Sequence, residues 1–116
     1  MSMSMKRVGI VLVVCASIRA HAASPINCTK VTNSTDRAIC ATPSLVQADE
    51  RMTTYFEIAT QLVAMGQRGN LQDSQQAFPA LRNKCGTDEV CILAAYKKQT
   101  APLEAVIANV VTHGPF

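Results

Sequence analysis

Histidine is nearly absent from this sequence. Only His21 and His113 occur among 116 residues, one toward each end of the chain. No glycine-rich loop able to cradle a phosphate is present, and no cysteines stand in the close C-x-x-C pairs that structural zinc favours. There are no Asn-Gly or Asp-Gly hairpin dipeptides, no internal repeats and no low-complexity tract. These absences weigh against a phosphate-loop nucleotide site, a zinc-built module and a hairpin-rich fold. Catalysis in a small domain needs a nucleophile with its base, a paired set of carboxylates, or a metal. His113 lies two residues before Pro115 at a solvated end, a poor place for a general base. Asp49-Glu50 and Asp88-Glu89 are adjacent residues, which point apart on a helix and fit dipole and solubility roles better. The chain is therefore read as a non-enzyme with no catalytic residue, no cofactor and no metal.

What is present begins with an export leader. Lys6 and Arg7 precede an uncharged apolar stretch from Val8 to Ala16, and Ala20-His21-Ala22 offers small residues for signal peptidase. Arg19 is unusual so near the cut, but cleavage after Ala22 fits best. The apolar stretch is about half of what a bilayer span requires, so no stable membrane span is expected. Cys15 suggests lipid attachment, yet Val14 stands where a small residue is needed, and soluble export is preferred. The expected division is a signal peptide over 1–22 and one domain over 23–116. Lys6, Arg7 and Arg19 leave with the leader, so eight basic residues face eight acidic ones and the mature net charge is zero. The apparent basicity belongs to the leader and gives no reason to expect a nucleic-acid partner.

Four cysteines remain: Cys28, Cys40, Cys85 and Cys91. An even number in a short exported chain reads as a disulfide framework. Three pairings are open. Cys28–Cys40 with Cys85–Cys91 is preferred, because each pair closes a local loop. Two staples worth about 2–4 kcal/mol each would supply much of the stability of so small a core. Asn27-Cys28-Thr29 and Asn33-Ser34-Thr35 match the glycosylation pattern, but turn and cap chemistry is the preferred explanation.

Periodicity points to an all-α domain of three to five helices. Ser34 or Thr35 can cap a short helix from Asp36 to Cys40, which Pro43 is expected to end. Ser44 can cap a long helix from Leu45 to Met65. Its stripe of Leu45, Ala48, Met52, Tyr55, Phe56, Ala59, Leu62 and Val63 recurs at steps of three and four. Gly66 and Gly69 are expected to stop it in a loop over 66–70. A weaker segment follows from Leu71 to Lys84, with Leu71, Ala77 or Phe78 and Leu81 toward the core and Pro79 in mid-pattern; Cys85-Gly86 closes it. Thr87 or Asp88 caps a helix over 89–99. Pro102 forces a break or restart, and Leu103, Val106, Ile107, Val110 and Val111 make a final apolar face whose β-branched residues suit a strand or a helix.

One combination is more specific. It runs from Cys28 through Ala38-Ile39-Cys40, Pro43-x-Leu45-x3-Asp49-x2-Met52-x2-Tyr55 and Gln75-x2-Phe78-x3-Arg82 to Cys85-Gly86-x4-Cys91-x4-Tyr96. This pattern resembles the bacterial lysozyme inhibitor LprI-like family over most of the mature chain. The sequence departs from it at Phe78, where the family usually has tryptophan, and at Pro79 after it. The resemblance implies an exported, disulfide-bonded helical domain in the periplasm or secreted. It also implies a binding protein whose partner is a lysozyme or other cell-wall hydrolase. The alternative is an envelope structural or interaction module that inhibits nothing. Asp49, Tyr55, Phe78 and Arg82 are the candidate structural or partner-contact residues. A direct Asp49–Arg82 ion pair clamping two helices beside Tyr55 and Phe78 is preferred over a contact site, because charges amid apolar stripes are normally paired. The oligomeric state is not legible.

Overall fold

A computed structural model describes residues 25–113. The expected signal peptide with Cys15, and the closing Gly114-Pro115, lie outside the described residues. Four helices form an all-α domain: α1 (Ser34–Ala41), α2 (Pro43–Leu62), α3 (Met65–Asn83) and α4 (Glu89–His113). No helix among the described residues is long and apolar enough to cross a membrane.

The α1 cap is Asn33, one residue before the expected Ser34 or Thr35. Its Oδ1 accepts the Asp36 N–H at 2.8 Å and its Nδ2 donates to Asp36 Oδ2 at 3.0 Å. Asn33 thus engages both the backbone and the side chain of Asp36, and Thr35 is buried in the core instead. Asn27, the other glycosylation-like asparagine, accepts from the Thr29 amide and hydroxyl at 3.0 and 2.6 Å, which is turn chemistry.

Pro43 opens a helix rather than ending one. Thr42 is extended, as a residue before proline should be; its N–H reaches Ile39 O, and its own carbonyl accepts from Leu45 and Val46. One residue thus closes α1 and caps α2, and Pro43 sits in the first turn, where a missing N–H costs nothing. The α2 stripe is buried at Leu45, Met52, Phe56 and Ala59, with Asp49 and Thr53 buried beside it.

The expected 66–70 loop is instead the first turns of α3. Arg68 explains the tight connection: its Nε donates to Thr60 O at 2.7 Å and its Nη2 to Val63 O at 3.3 Å. These are carbonyls at the end of α2 without intrahelical partners, which a glycine cap would otherwise have to satisfy. Gly69 is then an interior helical glycine whose missing Cβ would meet nothing within 4 Å. Gly69→Ala is expected to stabilise the domain by about 0.5–1 kcal/mol, read as a higher thermal midpoint. A lower midpoint would contradict the helical assignment.

Helices α3 and α4 run through Pro79 and Pro102 without ending, and both prolines are exposed. The carbonyl that Pro102 leaves unbonded belongs to exposed Lys98, which water can reach. The 103–111 segment is therefore helix, with Leu103 buried and Val106 and Ile107 half-buried against the core. Leu81 and Val111 lie on the solvent side, 53% and 75% exposed, against the core-facing positions expected for them. Gly86, at φ +59°, turns the chain out of α3 as expected, and Asp88 caps α4 by accepting the Cys91 N–H at 3.1 Å.

Hydrogen bonds between helices fix the topology. Thr42 donates to Glu89 and Tyr96 donates to Asp49, each across 47 residues of sequence, so α2 and α4 run parallel in one register. Arg82 meets Tyr96 while Gln75 meets Gln99, so α3 is antiparallel to α4. The core between the helices is Ile39, Leu45, Met52, Phe56, Ala59, Phe78, Ile92, Tyr96 and Leu103. The disulfides are Cys28–Cys40 and Cys85–Cys91, the preferred pairing, with Cα separations of 5.6 and 5.5 Å. The first ties the amino-terminal strap to α1; the second ties the end of α3 to the start of α4.

Candidate functional site

The residues singled out from the sequence come together, but in a different order from the one expected. Asp49 on α2 and Arg82 on α3 make no direct ion pair. The Tyr96 hydroxyl, from α4, stands between them, donating to Asp49 Oδ1 at 2.8 Å and accepting from Arg82 Nη1 at 3.2 Å. Arg82 forms its ion pair with Asp36, in the first turn of α1, Nη2 to Oδ1 at 2.6 Å. A guanidinium has five donors and can serve a phenol and a carboxylate at once, whereas a direct contact to Asp49 would leave the Tyr96 oxygen buried without a partner. Arg82 also donates to Asn83 Oδ1 at 3.2 and 3.1 Å. Asp49 Oδ2 accepts the Ile26 N–H at 2.7 Å, so the chain continues into the amino-terminal strap.

The result is a continuous polar path: Ile26, Asp49, Tyr96, Arg82, Asp36, Asn33. It crosses all four helices. Asp49 is 3% exposed and Arg82 7%, and no buried side-chain polar atom among the described residues lacks a partner. A buried polar network that is fully satisfied specifies one packing arrangement; a half-satisfied one is costly. Phe78, 3% exposed, packs its ring 5.1 Å from that of Tyr96 at a tilt of 55°, so the departure from tryptophan falls on a core anchor. Tyr55 is half-buried at the edge of the core. Asp49, Phe78 and Arg82 cannot touch a partner while the domain is folded; among the four candidates, Tyr55 alone retains appreciable exposure.

Burial pushes the Tyr96 phenol well above its ordinary range; the neighbouring Asp49 charge and hydrogen bond add to this, and Arg82 partly opposes it. The folded state thus holds this proton where the unfolded chain releases it, near the ordinary value of 10.0. The stabilisation is fully present below that pH and is lost as pH rises beyond it. Urea unfolding of the wild type is expected to show a steeper loss of stability between about pH 9 and pH 11 than Tyr96→Phe. Equal slopes would mean that the phenol is not held in this way.

Tyr96, present in the sequence pattern but not among the four candidate residues, and Asp36 are the members of this path whose role sequence reasoning missed. Tyr96 follows Ile92 and precedes Thr100 and Leu103 on the buried face of α4, so its spacing marks it as core and says nothing of its hydroxyl. Asp36 carries a second signal, a first-turn carboxylate favoured by the helix dipole, and that role masked its pairing with Arg82 46 residues away.

His113 sits exposed at the end of α4, its Nδ1 2.7 Å from Asn109 O. All four described cysteines are in disulfides, and among the described residues no group of three or more His, Cys, Asp or Glu side chains is gathered for a metal. No family model, curated protein or solved structure matches the chain.

Proposed function

We propose that this chain is an exported, non-enzymatic binding protein of the LprI-like kind, acting on a lysozyme or another cell-wall hydrolase in the periplasm or outside the cell. One observation carries the reading. The residues on which the resemblance rests do not scatter over the fold: Asp49, Phe78, Arg82 and Tyr96 meet at one place, and both cysteine pairs close beside it. That supports treating them as one pattern that maintains one scaffold. With those side chains consumed inside, partner recognition falls to the outer helix faces. The disulfides are compatible with an oxidising compartment, as the leader-like amino end requires.

The test is residual activity of lysozymes of several classes, and of other purified cell-wall hydrolases, with the purified mature protein. Inhibition at micromolar concentration is expected for at least one of them; none at all would remove this reading. The neutral mature charge favours a second one. A basic lysozyme gains association rate from an acidic partner, and this chain has no net acidity to offer. An envelope interaction module without inhibitory activity would instead recover a non-enzyme partner from envelope extract.

A further inference from the structure

The parallel register of α2 and α4 leaves a groove between them that shares only Tyr96 with the polar path. Its volume is about 290 Å³, at the small end of ligand sites. Ser44, Gln47 and Arg51 line it from one face of α2; Tyr96, Lys97, Thr100 and Glu104 line it from α4. The 47-residue offset brings Arg51 level with the Lys97–Lys98 turn. The one ion pair among the described residues is Arg82–Asp36, so Arg51 and Lys97 line the same concavity and neither has a carboxylate oxygen within 4 Å. Glu104 lies about 10 Å further along α4, seven residues on from Lys97. Two like charges lining one groove repel each other, and an anion placed between them relieves that repulsion.

We propose that this groove binds a small carboxylate ligand. The guanidinium of Arg51 presents a planar fork that matches a carboxylate, with Lys97 as a second cation. Exposed Ser44 and Gln47 supply neutral hydrogen-bonding groups for the rest of the molecule, while the buried Thr100 hydroxyl already donates to Tyr96 O at 2.7 Å. The size suits a molecule of one sugar or two amino acids. Glu104 sets the charge preference: with it the site has a net charge of about +1, which suits a monoanion better than a doubly charged phosphate. The site stands apart from the hydrolase reading, and either can fail while the other holds.

The test is a titration of the mature protein followed by backbone amide NMR, with N-acetylglycine as probe, inorganic phosphate as the competing chemistry and sodium chloride as the ionic control. N-acetylglycine is expected to give saturable shifts confined to 44–51 and 93–104, with phosphate binding more weakly. The exposed pair Arg51→Gln with Lys97→Gln should weaken binding by about tenfold or more with the thermal midpoint unchanged. Glu104→Gln should tighten it by about two- to fivefold, since it removes the competing anion. Shifts that rise linearly as they do with sodium chloride, or that persist in the double variant, would overturn the site. Phosphate binding as tight as N-acetylglycine would overturn the ligand class.

Discussion

Arg82→Ala is expected to lower stability by about 3–5 kcal/mol, because removing one member of a buried, hydrogen-bonded charge set strands the others. The guanidinium side chain is 8% exposed and its Asp36 partner 19%, so water offers little compensation. The Tyr96 oxygen would lose its donor, and Asp49 would lose the nearby positive charge that balances it through the phenol. For a domain of this size each kcal/mol shifts the thermal midpoint by roughly 4–8 °C, so a fall of about 12 °C or more is expected. A variant with unchanged stability and lost partner binding would make Arg82 a contact residue and remove the clamp.

The second large effect is expected for Cys28→Ser combined with Cys40→Ser. Loss of a native disulfide from a small domain costs about 2–5 kcal/mol. Here the cost has two parts. The bridge restrains the unfolded chain, and it also holds the strap whose Ile26 N–H satisfies Asp49 Oδ2. Cys28 is only two residues from Ile26, so freeing it releases the donor and leaves a nearly buried carboxylate oxygen unpaired. Cys85→Ser with Cys91→Ser closes a shorter loop and touches no member of the polar path directly, so its loss should be the smaller by denaturant unfolding. The reverse order would mean that the strap does not depend on its disulfide.

Much of the fold was legible because local chemistry agreed with the global arrangement. The α2 stripe, the Cys85-Gly86 stop and the all-α class follow from spacing, whereas spacing only favoured the local disulfides among three open pairings. The failures cluster where one residue has two possible roles. Pro43 ends a helix or begins one, and only the extended Thr42 shared by α1 and α2 decides. Gly66 and Gly69 mark a loop until Arg68, reaching back eight residues to Thr60, satisfies the end of α2 and lets α3 start at once. Pro102 reads as a break, but its exposed side of α4 lets solvent take the freed carbonyl.

The candidate site shows the same division. Asp49, Phe78 and Arg82 stood out through the resemblance to the LprI-like pattern, and an interhelical clamp was preferred there over a partner contact. Their connectivity was not legible, because Tyr96 presents a core-like ring to the sequence pattern and hides a bridging hydroxyl. Asp36 likewise satisfied a local rule at its own helix, so nothing in its surroundings asked for a distant partner. Periodicity identifies the buried face of a helix, while pairing across 46 or 47 residues is a property of the packed bundle.

The most direct measurement is a double-mutant cycle between Asp49→Asn and Arg82→Gln by urea unfolding, run in the wild-type and Tyr96→Phe backgrounds. The two side chains do not touch, yet a path through the Tyr96 hydroxyl predicts a coupling of about 0.5–3 kcal/mol that falls away once that hydroxyl is removed. Additivity within about 0.3–0.5 kcal/mol in the wild-type background would contradict it.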